Sequence, residues 1–144
     1  MTRTLQLDHV TFEIFRDLDY RDEKGTLVAF VSDSDFANLR CSVHSVFRKG
    51  VEAREAAERE IPRLATEDGA DYETSGEKFV YRTQKKNSED QDSTMYYWYV
   101  GLGGHIAVLS VFVDHRYADD PRAKHVMDCA ELLVRSFRRN ENDA

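Results

Sequence analysis

The stretch MYYWYVGLGGHIAVLSVFV, Met95 to Val113, is the most apolar and most β-prone run in the chain. Two segments rich in aromatic and β-branched residues meet at Gly103-Gly104, and a Gly-Gly pair supplies the two positive-φ positions of a type I′ turn. The run therefore reads as a β-hairpin. With the glycines as the turn, Leu102 faces His105, Val100 faces Ala107, Trp98 faces Leu109 and Tyr96 faces Val111 on one side of the sheet. On the other side Gly101 faces Ile106, Tyr99 faces Val108, Tyr97 faces Ser110 and Met95 faces Phe112. Neither side is plainly polar, whereas a two-layer sheet shows one dry face and one wet one. The hairpin is expected at the centre of a sheet, covered on both sides, or covered on one and offering the other to a partner.

Upstream, Val10, Phe12 and Ile14 alternate with Thr11, Glu13 and Phe15, the period of a strand that begins as early as Leu5. The acidic segment DLDYRDEKG, Asp17 to Gly25, reads as a turn before a second strand over Thr26 to Ser32. A third strand follows over Leu39 to Phe47, its two faces split between Leu39, Cys41, Val43 and Arg40, Ser42, His44. The three are expected to form an antiparallel meander. From Gly50 the period becomes helical: Ala53, Ala57, Ile61, Leu64 and Ala65 form a thin stripe of mostly small residues, with Glu52 and Glu55 suited to the positive amino end. Pro62 removes one helical hydrogen bond, so a kink or restart is expected there, and the helix should end before Gly69.

Tyr72 to Ser75 and Lys78 to Gln84 read as paired strands joined around Gly76, and KKNSEDQDS, Lys85 to Ser93, as a solvated loop. After the hairpin, Asp120 caps a long helix with Pro121 in its first turn. Ala123, Val126, Met127, Ala130, Leu133, Val134 and Phe137 give this helix one wide apolar face. Burying its larger side chains contributes about 1.5 to 3 kcal/mol each before entropy is counted. That face suits the Trp98, Leu109, Tyr96 and Val111 side of the hairpin. The residues from about 138 onward read as a frayed polar tail.

The chain has 144 residues, 41% hydrophobic and 33% charged, the make-up of one folded domain spanning residues 1–144. Its formal charge of −7 argues against a nucleic-acid partner, which would need clustered Lys and Arg. Arg82, Lys85 and Lys86, and Arg135, Arg138 and Arg139, are local exceptions. No apolar run is long enough for a membrane helix, and the amino end is too polar for a signal-peptide core, so a cytoplasmic location is expected. Cys41 and Cys129 lack metal spacing and sit among apolar positions, as buried free thiols do.

In its order of elements the chain resembles the PsbP-like family. The acidic turn DLDYRDEKG, the YYWYVGLGGHIAVLSVFV hairpin and the closing VMDCAELLVRSFRR, with Ser136-Phe137 matching the family's common Ser-Phe ending, carry the resemblance over nearly the whole chain. It implies an α+β fold: an antiparallel sheet of about six to seven strands flanked by helices in an α/β/α sandwich. The family's bacterial members include adaptor chaperones of type VI secretion effectors and immunity-like proteins, so it also implies a binding module. It supplies no site residue, and with no lumenal targeting segment a photosynthetic role is not expected.

The chemistry legible in the sequence is sparse. The five histidines, His9, His44, His105, His115 and His125, form no metal-binding motif, and no metal or cofactor is expected. There is no GxSxG elbow and no phosphate-binding glycine loop; Gly101, Gly103 and Gly104 join two strands. Acidic pairs such as Asp17 and Asp19, Asp119 and Asp120, or Glu89 and Asp90 read as solvated turns. The first functional expectation is therefore a small non-enzymatic bacterial protein that binds a protein or peptide, or a second copy of itself. Its candidate surface is the sheet face bearing Met95, Tyr97, Tyr99, Ser110 and Phe112, or the hairpin edge. The alternative is a small-ligand binder or enzyme with His105, His115 or Asp114 at a pocket near the hairpin rim.

Overall fold

The computed structural model describes residues 1–31, 37–45, 53–86 and 92–140. In chain order its strands are β1 (Thr2–Leu7), β2 (Val10–Phe15), β3 (Asp19–Glu23), β4 (Thr26–Phe30), β5 (Ala37–Ser45), β6 (Tyr72–Ser75), β7 (Lys78–Lys86), β8 (Ser93–Leu102), β9 (His105–Asp114) and β10 (Arg138–Arg139). Helix α1 (Ala53–Glu67) lies between β5 and β6, and α2 (Pro121–Ser136) between β9 and β10. The fold is an α+β sandwich built on a seven-stranded sheet, order β3-β4-β5-β9-β8-β7-β6, antiparallel throughout.

The β8–β9 hairpin has the register read from its glycines, from Leu102↔His105 through Met95↔Phe112. Positive φ falls at Gly103, 60°, the first turn position, which is the demand of a type II′ turn rather than of type I′ at both residues. β5 pairs with β9 along its whole length and β7 with β8, so the hairpin is central. Neither of its edges is open, which removes the hairpin edge as a binding surface.

The amino-terminal third differs from the expected meander. The chain turns at Asp8, φ 59°, so Leu5 belongs to a separate strand, β1, paired with β2 from Thr2↔Phe15 to Leu7↔Val10. β2 joins β1 and β10 in a three-stranded sheet of its own, and the meander is β3-β4-β5. The segment read as an acidic turn holds β3, an edge strand of mostly exposed charged residues. No hydrophobic alternation marks it. A charged edge strand buries little and needs none.

The two helices cover opposite faces of the large sheet. Val126, Cys129, Ala130 and Leu133 of α2 are fully buried with Val10, Phe12 and Ile14 of β2 and with Leu39, Trp98, Leu109 and Val111 of the large sheet. α1 carries Ile61 and Ala65 against Tyr81 and Ile106 on the other face. It runs from Ala53 to Glu67 without a restart at Pro62. A Schellman ending closes it: Gly69 N–H donates to Thr66 O at 3.1 Å and Ala70 N–H to Ala65 O at 2.8 Å, with Gly69 at φ 66°. The expected stripe residues Ala53 and Ala57, the amino-end glutamates, Phe47 and the centre of the 85–93 loop lie outside the described residues or side chains.

The end of the chain is also more ordered than its polarity implies. Arg138 and Arg139, expected in a frayed tail, pair with Thr11 and Val10 as β10, and Asn140 N–H donates to His9 O at 3.0 Å. Ser136 Oγ donates to Leu132 O and accepts from Glu13 N–H, both at 2.8 Å, while Phe137 is buried. The Ser-Phe pair thus ties the end of α2 to β2. Lys78 Nζ donates to Val134 O at 3.0 Å and Arg135 O at 2.8 Å, placing a cation at the negative end of the helix. No helix among the described residues is long and apolar enough to cross a membrane.

Candidate functional site

Strand alternation places Met95, Tyr97 and Tyr99 of β8 and Ser110 and Phe112 of β9 on the α1 face, with Met95↔Phe112 and Tyr97↔Ser110 directly paired. All five side chains are half-buried. Of these, Tyr99 belongs to the cluster of α1 residues among the described side chains. Tyr99 stacks on Tyr81, ring centres 4.5 Å apart and planes 5° apart, within the cluster that Ile61 and Ala65 cover. Burial raises the hydroxyl pKa of both tyrosines, and Tyr81 Oη donates to Asp68 at 2.9 Å. Among the described residues Met95, Tyr97 and Phe112 belong to neither core cluster. Tyr97 keeps a ring contact with Tyr99 at 6.3 Å, and Lys85 Nζ lies 5.9 Å from its ring centre.

On the α2 face the cover is incomplete near Tyr96. Two adjoining cavities, of about 330 Å³ and 460 Å³, share Tyr96 and Met127. The first is also lined by Arg82, Gln84, Trp98 and Glu131; the second runs past Val113 to Ala118 and Ala123. Glu131 organises the rim of the first. Arg82 donates to it twice at 2.8 Å, Trp98 Nε1 once at 2.9 Å, and the guanidinium holds its carboxyl below the ordinary value. Sequence reasoning missed this groove because it set Met127 in the helix's buried face. Met127 is half-buried at the margin of that face, and its small neighbour Ala123 leaves space beside Tyr96.

The histidine alternative does not assemble. His105 starts β9 and Asp114 ends it, nine residues on, roughly 30 Å along an extended strand. His115 Nε2 lies 2.7 Å from Thr94 Oγ1, while His105 sits beside His9 at a ring distance of 5.0 Å. Asp114 is engaged by Arg116, whose hydrogen bonds push its carboxyl down to about 2. His44 pairs with Ser42 at 2.9 Å on an exposed strand end. A different pair is formed: His125 Nε2 lies 2.9 Å from Asp17 Oδ1 and stacks on Phe15 at 4.6 Å, beside a cavity of about 430 Å³. Asp17 was legible only as a turn residue, since its partner stands 108 positions away. Burial pushes the nearby Cys129 thiol up to about 11, so that thiol is not a ready nucleophile for the pair. Among the described residues no three His, Cys, Asp or Glu side chains converge as a metal site.

An antiparallel sheet held between a long carboxyl-terminal helix and a shorter one is a PsbP-like fold, and solved structures bear this out. The chain matches the solution structure of cyanobacterial PsbP (CyanoP) from Synechocystis sp. PCC 6803 with a TM-score of 0.61 and 10% identity, covering 97% of this chain and 92% of that one. It matches a crystal structure from Bacteroides thetaiotaomicron VPI-5482 with a TM-score of 0.68 and 16% identity, over 99% of this chain. There it spans about half, 49%, of the other chain's length. Identities this low establish the fold alone. No family model and no curated protein matches the sequence.

Proposed function

We propose that this chain is a non-enzymatic binding module for a protein or peptide, an adaptor or immunity-like protein of a bacterial cytoplasm. The observation that carries this reading is the position of Met95, Tyr97 and Phe112: three large side chains on the central hairpin, half-exposed, and part of neither core cluster among the described residues. Large amphipathic side chains on a rigid, fully paired strand lose little entropy on contact, which is why Tyr recurs at the energetic centres of interfaces. Two buried free cysteines, Cys41 and Cys129, accord with a reducing compartment. A homodimer through the same face is the case in which the partner is a second copy.

The test is a comparison of baits. Wild-type protein and a Tyr97→Ser, Phe112→Ser double variant are used to capture partners from native lysate, with sedimentation to follow self-association. The reading expects a partner, or a dimer, that the double variant loses while its thermal unfolding shifts by no more than a few degrees. A wild-type protein that stays monomeric and unpartnered, or a double variant as unstable as a core deletion, overturns it.

A further inference from the structure

Strand β7 outlasts its neighbour. β6 pairs only with Lys78 to Tyr81, from Ser75↔Lys78 to Tyr72↔Tyr81, whereas β7 continues to Lys86. Over residues 82–86 β7 has β8 on one side and no strand on the other among the described residues. In an antiparallel ladder, backbone N–H and C=O groups point alternately to the two sides, so this stretch presents an open edge ready to pair. Four of its five residues are exposed.

The surroundings of the edge are chemically specific. Gln84 stands opposite Tyr96 and shares with it and Met127 the cavity of about 330 Å³ on the α2 face. Lys85 stands opposite Met95 on the other face, beside Tyr97, and Lys86 opposite Thr94. Arg82 is consumed by Glu131 and Glu73. Lys85 and Lys86 make no ion pair among the described residues, in a chain whose formal charge is −7.

We infer that the Arg82 to Lys86 edge of β7 accepts an added strand from an acidic, extended segment of a partner protein. Such a strand sets an apolar side chain opposite Gln84, toward the Tyr96 and Met127 cavity, and two consecutive carboxylates opposite Lys85 and Lys86. The main chain supplies the pairing, the cavity and the two ammonium groups the selectivity. This inference rests on the reading of the chain as a binding module and names the chemistry of its partner.

The probe is a fluorescein-labelled nonapeptide carrying two glutamates followed by leucine, the order an antiparallel added strand requires, among valines and threonines, titrated by anisotropy at low salt. Wild-type protein is expected to bind it. A Lys85→Glu, Lys86→Glu variant should bind at least tenfold more weakly, and should instead bind the peptide whose glutamates are replaced by lysines. Both substitutions lie on exposed side chains, so unchanged thermal unfolding shows that the variant is folded. The same acidic peptide N-methylated at the alternate residues whose amides would face β7 cannot pair with it and should lose binding. No binding by wild type, or equal binding of the N-methylated peptide, overturns strand addition. Partner capture that depends on Tyr97 and Phe112 while the peptide fails removes this inference and leaves the binding module standing.

Discussion

Arg82 and Glu131 are joined by two hydrogen bonds of 2.8 Å each, one from Nε and one from Nη2, across 49 positions of sequence. The pair fastens the seven-stranded sheet to α2 at the rim of the Tyr96 groove, and Trp98 Nε1 makes Glu131 the acceptor of a third hydrogen bond. The hydrogen bond from Arg82 is the main reason that the Glu131 carboxyl sits below its ordinary 4.5. A carboxyl depressed in the folded state adds stability above its unfolded pKa, and that stability is lost as pH falls through the folded value. Because both side chains are partly exposed, Glu131→Gln should cost about 1 kcal/mol at pH 7. The gap from wild type should narrow below about pH 4.5, in urea titrations at a series of pH values. A gap that stays constant down to pH 3 would sink the assignment.

Ser136→Ala tests the join between α2 and the small sheet. The hydroxyl accepts from Glu13 N–H at 2.8 Å in a part-buried setting, so its loss leaves that amide unpaired. The expected cost is about 1 to 3 kcal/mol in denaturant unfolding, the range for a buried donor left without an acceptor. Ser136→Thr, which keeps the hydroxyl, should recover most of it. An alanine variant as stable as wild type would show that water replaces the serine.

Those two joins also mark where the sequence could and could not be read. The β8–β9 register was legible because two glycines anchor it and every side chain follows with period two. The apolar stripe of α2 was legible at period 3.6, down to the capping Asp120, whose side chain accepts from Arg122 N–H at 2.9 Å. What was hidden lies at edges. β3 is four charged residues and one exposed tyrosine, and β10 is two arginines paired with β2 and tied by their side chains to Ser136 O and Glu77, so neither carries a hydrophobic signal. Of the candidate face, the sharing of Met95, Tyr97, Tyr99, Ser110 and Phe112 on one side was legible. The packing of Tyr99 with Ile61 and Ala65 was not, since it depends on where a helix with three buried side chains in its described part comes to rest.

The two thiols offer a readout of global stability. Burial alone pushes Cys41 up to about 12, and Cys129 stands at about 11, so neither is a thiolate near neutral pH. At pH 8 a disulfide reagent such as dithionitrobenzoate should react with the native protein only as fast as it unfolds, while both thiols titrate at once in denaturant. Rapid modification of one thiol in the native state would mean that its cover opens locally.

Substitution of Gly103 separates the two possible hairpin turns. Its φ of 60° is strained for an L-residue, while an added Cβ would meet nothing nearer than the flexible Arg139 guanidinium at 3.5 Å, so the cost of Gly103→Ala is one of backbone conformation. That cost should be about 1 to 3 kcal/mol. Asparagine decides the type. In a type I′ turn the first position is left-handed helical, which Asn tolerates, whereas the first position of a type II′ turn combines positive φ with strongly negative ψ and suits glycine alone. With Gly103 as the residue of positive φ, Gly103→Asn should be nearly as destabilising as Gly103→Ala in thermal unfolding. An asparagine variant close to wild type would return the turn to type I′ with the register unchanged, because both types leave Leu102 opposite His105.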